Sequence, residues 1–143
     1  MKCRQVWTRK SGNAMRAVDT NIIVRYLTGD DPKQAEKARA VVNGELVFVS
    51  RTVVLETEWV LRGVYDMPKN RVIPALRAFA GLPTVTVEDA TLVAQAFDWA
   101  EAGMDFADAL HLAAAKGCSG FATFDRRFMR AATKVGTLSV SAP

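Results

Sequence analysis

A chain of 143 residues, 50% hydrophobic and 24% charged, is sized for one domain with a real core. It has no apolar run approaching the roughly 18 to 20 residues of a membrane span, and no stretch has the charged, apolar, small-residue order of a signal peptide. Cys3 and Cys118 have the spacing of neither a zinc site nor a redox pair, so a cytoplasmic protein with free thiols and no membrane association is expected. The net charge of +4 belongs to residues 1 to 14, where Lys2, Arg4, Arg9 and Lys10 stand without an acid; from Met15 onward 15 basic residues balance 15 acidic ones. Residues 1 to 14 are read as a disordered extension from an upstream start, and residues 15 to 143 as the domain. A basic arm touching nucleic acid is the other reading of that extension. The charge by itself names no partner.

In chain order, "MRAV" (15–18) is a buried strand and "NIIVRYL" a short helix, with Ile22, Ile23, Tyr26 and Leu27 at helical spacing. "TGDDPKQAEKARAVVNG" is a turn and a helix, capped by Asp30 or Asp31, with Pro32 in its first turn and Gly44 after its end. "LVFVS" (46–50) is a buried strand, and Ser50 can cap the long helix "RTVVLETEWVLRGVY". "DMPKN" (66–70) reads as a turn into a helix over 69 to 80. "TVTV" (84–87) is a strand that feeds Glu88 and Asp89, acids suited to a helix start; that helix runs to about Gly103. "DFADALHLAAAKG" is a helix, "GFATF" (120–124) a strand, "DRRFMRAATK" a short helix and "TLSV" (137–140) the last strand. Strands and helices alternate with connections long enough for crossovers. The expected fold is therefore α/β: helices on both faces of a central, mainly parallel sheet of about five strands, in three layers.

Sites in such folds form outside the carboxyl ends of the strands. Asp19 follows the first strand and Asp125 follows "GFATF"; Glu56 and Glu58 lie on the helix after the second strand, and Asp105 and Asp108 open the helix before "GFATF". Helix capping explains Asp19, Asp105 or Asp125 taken singly. It does not explain Glu56, which shares its face with Val53, Trp59 and Val60, or Asp108, on a helix rich in Ala, Leu and Phe; both are expected to be buried or half-buried. A buried carboxylate is paired, protonated or bound to a cation, and Arg25 or Arg51 is the candidate partner. If the acids converge, their repulsion favours a divalent cation. Oxygen-only donors suit Mg²⁺ or Mn²⁺, while one histidine, His111, and scattered cysteines disfavour zinc. Such a site implies phosphodiester chemistry.

"VDTNIIVRYL", "VLETEWVL", "DFADALHLAAA" and "TFDRRF", in this order and spacing, resemble PIN-domain proteins, in particular the VapC toxins of bacterial VapBC toxin–antitoxin modules. The resemblance covers Met15 to about Val140. It implies a PIN-like α/β/α fold and a metal-dependent ribonuclease in which Asp19, Glu56, Asp108 and Asp125 are the catalytic acids. Asp19, Asp108 and Asp125 would be the Mg²⁺ or Mn²⁺ ligands. Asp105 would be auxiliary, and Thr20, Asn21 and Thr123 would steady the acids. It further implies a VapB-type antitoxin partner and a homodimer. A groove for the antitoxin would draw on Tyr26, Leu27, Trp59 and Tyr65, although Trp59 also reads as core. Arg25, Arg126, Arg127 and Arg130 are candidate RNA-binding residues, with Arg51 and Lys134 nearby, and each also reads as part of a solvated helix face. His111, one turn past Asp108, reads as a neighbour of the site rather than a base. The rival readings are a catalytically inactive PIN-fold RNA-binding or regulatory protein and a phosphatase with Asp19 as nucleophile. The phosphatase would want an acid where Asn21 stands, and a nucleotide-binding enzyme would want a Gly-rich phosphate loop.

Overall fold

The computed structural model describes residues 14–143. Among these described residues, five strands, β1 (Arg16–Ala17), β2 (Val47–Val49), β3 (Val85–Val87), β4 (Phe121–Ala122) and β5 (Val140–Ser141), alternate with seven helices. These are α1 (Thr20–Thr28), α2 (Pro32–Gly44), α3 (Arg51–Gly63), α4 (Lys69–Ala80), α5 (Ala90–Glu101), α6 (Phe106–Ala114) and α7 (Arg126–Val135). All strand pairs among the described residues are parallel, so the α/β class is as expected. The strands form a three-stranded ladder in the order β1-β2-β3 and a two-stranded ladder β4-β5. The chain divides into two compact units, one ending at Glu88 and one spanning Asp89–Pro143. The extension expected at residues 1 to 14 lies, except for Ala14, outside the described residues, as does Cys3. Cys118 is free and exposed. No helix among the described residues is long and apolar enough to cross a membrane.

In the first unit, parallel pairing requires crossovers. The helices α1 and α2 carry the chain from β1 to β2, and α3 and α4 carry it from β2 to β3. Ala17 lies opposite Phe48, and Val49 opposite Val87. Ladder bonding runs one residue past the strands, with Val18 N–H donating to Phe48 O (3.1 Å) and Glu88 N–H to Val49 O (2.9 Å). Parallel strands share one carboxyl edge, so Asp19, Ser50 and Glu88 stand along it. The strand β2 is buried throughout. In contrast, Arg16 and Ala17 of β1 are exposed, which corrects the expectation of a buried first strand. In its ladder β1 is an edge strand with one neighbour, and burial begins at Val18.

The helix starts follow from their caps. Asp31 accepts from Gln34 N (3.1 Å) at the start of α2, with Pro32 first in the helix, where its missing N–H costs nothing. Ser50 accepts from Val53 N (3.3 Å) at the start of α3. Glu88 differs from expectation. Its carboxylate accepts from the Arg51 backbone N–H (2.9 Å), so it serves the N-terminus of α3 rather than of α5.

The buried stripe of α3 is Val54, Thr57, Glu58 and Leu61, the spacing i, i+3, i+4, i+7 of one helix face. The helical period is the expected one, but its phase is not. Glu56 is exposed and Glu58 is 2% exposed. The partner of Glu58 is Arg62, bound through two contacts, Nε to Oε2 at 2.8 Å and Nη2 to Oε1 at 3.3 Å. Trp59 is 57% exposed, which corrects its reading as core.

In the second unit, α5 and α6 pack through Val93, Ala96, Phe97 and Ala100 against Phe106, Ala109, Leu110 and Ala113, all buried. The Phe97 and Phe106 rings stack at 5.4 Å. Helix α7 turns Phe128 and Ala132 inward and exposes Arg126, Arg127, Arg130 and Lys134. The Phe128 ring meets Phe121 of β4 edge-on at 5.0 Å.

Candidate functional site

The first unit brings three of the expected residues together. Asp19 follows β1 directly, with its carboxylate exposed, and accepts from Ile22 N (3.3 Å), so it caps α1. Next to it Thr20 is buried, and its hydroxyl donates to Glu56 Oε1 at 2.5 Å. That bond joins the first residue of α1 to the middle of α3 and orients the Glu56 carboxylate. Asn21 is exposed at the same helix start.

Arg25 is committed elsewhere in this unit. Its Nη1 donates to the Tyr65 hydroxyl (2.9 Å) and to Asp30 Oδ1 (3.0 Å), and its Nε donates to Gln34 (2.8 Å). The Tyr65 hydroxyl in turn donates to Asp30 Oδ2 (2.6 Å). The hydroxyl of Tyr65, aided by Thr28 and the Arg25 charge, holds the Asp30 carboxyl below the usual carboxylate range. This closed ring of bonds weakens Arg25 as an RNA contact. Arg51 likewise faces Glu88, at 3.7 Å. Of the residues expected to line an antitoxin groove, Tyr26 packs edge-on against Phe79 (5.4 Å), Tyr65 belongs to the ring of bonds around Arg25, and Trp59 is exposed.

The second unit gathers Asp105, Asp108 and Asp125. Asp105 caps α6, with Oδ2 accepting from Asp108 N (3.2 Å). Asp125 caps α7, with Oδ1 accepting from Arg127 N (2.9 Å) and Phe128 N (3.2 Å). Thr123 holds the Asp125 backbone, since its Oγ1 accepts from Asp125 N at 3.0 Å. Asp108, in the first turn of α6, is half-buried. Burial first, and then the negative charges of Asp105 and Asp125, push its carboxyl above the usual range, while His111 opposes the shift. Asp108 and Asp125, far apart in sequence, are therefore electrostatic neighbours, and the exposed His111 lies within reach of Asp108.

Capping by Asp125 is separable from any chemistry it performs. Asp125→Ala removes the acceptor for two backbone donors and should cost about 1 kcal/mol, whereas Asp125→Asn keeps an oxygen there and should cost roughly a few tenths. Urea unfolding midpoints of the two variants read the difference, and equal midpoints would contradict a stabilising cap.

These acids suit a hard divalent cation in their chemistry: oxygen donors only, with a mutual repulsion that a cation would relieve. Among the described residues, no group of three or more His, Cys, Asp or Glu forms a ready-made metal site. What the fold supplies is acids anchored by their own helix starts, together with the hydroxyls of Thr20 and Thr123.

The sequence profile of the PIN domain matches residues 16–134. The chain belongs to the PIN-domain family. Among solved structures, this PIN-domain protein is similar to Mycobacterium tuberculosis VapC20, described as a sarcin-ricin loop cleaving toxin. The two share 23% identity over 89% of this chain and 98% of that one, with a TM-score of 0.40. No curated protein is similar enough in sequence to match it.

The sequence reading placed Glu58 beside Glu56 on one helix without giving it a partner, and it passed over Phe124. The Glu58–Arg62 pair was available as an i, i+4 spacing of opposite charges. Phe124 gave no such sign, because an apolar residue at the end of "GFATF" reads as strand core. Instead it is 86% exposed.

Proposed function

We propose that this PIN-domain protein is a metal-dependent endoribonuclease, the toxin of a type II toxin–antitoxin pair. The observation that carries the reading is the PIN-domain match over residues 16–134, in a chain that sets Asp105, the half-buried Asp108 and Asp125 at the starts of two helices of one unit. In this reading Asp19, Glu56, Asp108 and Asp125 are the catalytic acids, and Asp19, Asp108 and Asp125 would hold Mg²⁺ or Mn²⁺. A bound ion would supply positive charge to the phosphate and lower the pKa of a coordinated water.

The chain's own residues do the positioning. Thr20 fixes the Glu56 carboxylate, Asp105 fixes the start of α6 that carries Asp108, and Thr123 fixes the backbone of Asp125. Each leaves an acid with less freedom to lose when substrate binds. The exposed Arg126, Arg127 and Arg130 offset the repulsion between an acidic site and RNA phosphates. The reading includes a VapB-type antitoxin as partner, a homodimer, a cytoplasmic location, and residues 15 to 143 as the domain.

The expected result with purified protein is cleavage of RNA in Mn²⁺ or Mg²⁺ that stops on chelation and returns when the metal is restored. Cleavage that persists in chelator would overturn the metal dependence. A second reading, a catalytically inactive PIN-fold RNA-binding or regulatory protein, is favoured by the capping bonds of Asp19, Asp105 and Asp125. It predicts no cleavage in any metal.

A further inference from the structure

Phe124 is a large apolar side chain that the fold holds out in water. It is 86% exposed, and among the described residues of Asp89–Pro143 no other large hydrophobic side chain is exposed. Its neighbours in sequence are used differently, since Phe121 and Phe128 meet edge-on at 5.0 Å. The backbone around Phe124 is tied on both sides. Before it, Thr123 N–H donates to Ser141 O (3.0 Å). After it, Asp125 N–H donates to Thr123 Oγ1 (3.0 Å), and Asp125 Oδ1 accepts from Arg127 N and Phe128 N. The ring thus stands on a pinned turn, forgoing the stabilisation that burial would bring.

The surroundings decide what such a ring can meet. Directly after Asp125 come Arg126 and Arg127, with Arg130 and Lys134 further along α7, all exposed. Arg127, Arg130 and Lys134 follow i, i+3 and i+7 and so share one helix face. A docking site for a protein partner is built around a contiguous apolar patch. A lone exposed aromatic ring that cations follow in the chain suits single-stranded nucleic acid instead: a base can stack on the ring while the phosphates meet the cations. We propose that Phe124 is the stacking platform for one unpaired nucleobase of the RNA, with Arg126 and Arg127 taking the adjoining phosphates, so that a nucleotide is held next to Asp125. This inference rests on the nuclease reading above and adds to it a residue that contacts the base. Phe124 is a binding residue, not a catalytic one.

The test is binding of a fluorescently labelled single-stranded RNA to the full chain in chelator, read by anisotropy across a salt series. Phe124→Ala should weaken binding about tenfold, while Phe124→Tyr and Phe124→Trp keep it within about twofold, because each retains a π face. The slope of log Kd against log salt should be unchanged in Phe124→Ala and should shrink by about one in Arg127→Ala, since only the arginine releases a counterion. An abasic strand of the same length should bind the parent and Phe124→Ala alike. Parental RNA affinity in Phe124→Ala, or an equal loss on the abasic strand, overturns the stacking role and leaves the nuclease reading standing if the parent cleaves RNA. Cleavage without measurable binding also overturns the stacking role. A parent that neither binds nor cleaves RNA overturns both.

Discussion

Asp108→Asn should lower RNA cleavage by about a hundredfold or more while leaving the fold as stable as the parent's, or more stable. The substitution keeps the shape of the side chain and removes only its charge. That charge is unfavourable in the folded chain: burial and the acids Asp105 and Asp125 push the Asp108 carboxyl up, against the pull of His111. A carboxyl with a raised pKa binds protons more tightly in the folded than in the unfolded state. Stability from this group is therefore highest in acid and falls as pH rises from the ordinary carboxyl value through the raised one. At neutral pH the parent carries the whole penalty and Asn carries none, so the Tm difference should move in favour of the variant between acid and neutral pH. Asp108 is in part open to solvent, which screens the effect and keeps it small. Thermal melts across pH, beside cleavage assays in Mn²⁺, read both effects. A folded Asp108→Asn protein that cuts RNA at the parental rate would remove Asp108 from the chemistry.

The largest stability effect should come from a different acid. Arg62→Met leaves Glu58, 2% exposed, without the guanidinium that holds both its oxygens. Stripping one partner from a buried ion pair costs about 3 to 5 kcal/mol. The Arg62 side chain is 35% exposed, which allows some water to reach the pair and brings the expectation to about 2 to 4 kcal/mol. The double change Glu58→Met with Arg62→Met should recover most of that loss, because neither charge then remains to be desolvated. Urea denaturation of the two variants tests the pair directly. A loss under about 0.5 kcal/mol in Arg62→Met would mean that solvent already screens Glu58. Glu56→Gln is the contrasting change. That carboxylate is exposed and linked to Thr20, so its effect should fall on activity rather than on folding.

The two glutamates of α3 show where sequence reading works and where it stops. "VVLETEWVL" carries apolar residues on more than one side of the helix: Val53, Trp59 and Val60 make one stripe, and Val54 and Leu61 another. Either stripe satisfies a period of 3.6. The choice depends on which side has something to pack against, and that lies elsewhere in the chain. The Val54–Leu61 side is the buried one, with Thr57 and Glu58 on it, so the buried carboxylate of α3 is Glu58 and not Glu56, for which the sequence predicts burial. The same limit explains Glu88. It precedes a helix in sequence, yet its side chain bonds the start of a helix 37 residues earlier, because parallel pairing puts the ends of β2 and β3 side by side. Phe124 and Trp59 are apolar residues that the fold leaves in solvent, and hydrophobicity alone cannot announce that.

The sequence by itself determined what is local in this protein. It set the alternation of strands and helices, the N-caps at Asp19, Ser50, Asp105 and Asp125, the choice of Asp30 or Asp31 for α2, and the cationic outer face of α7. Each of these depends on residues within a turn or two of one another, whose spacing is written directly in the chain. Only the tertiary structure decided which face of α3 is buried, that Thr20 holds Glu56 across 36 residues, that Arg25 closes a ring with Tyr65 and Asp30, and that Asp125 raises the proton affinity of Asp108. These are contacts between distant segments. They arise when parallel strands set successive crossover helices side by side, and a one-dimensional period holds no information about phase or neighbour.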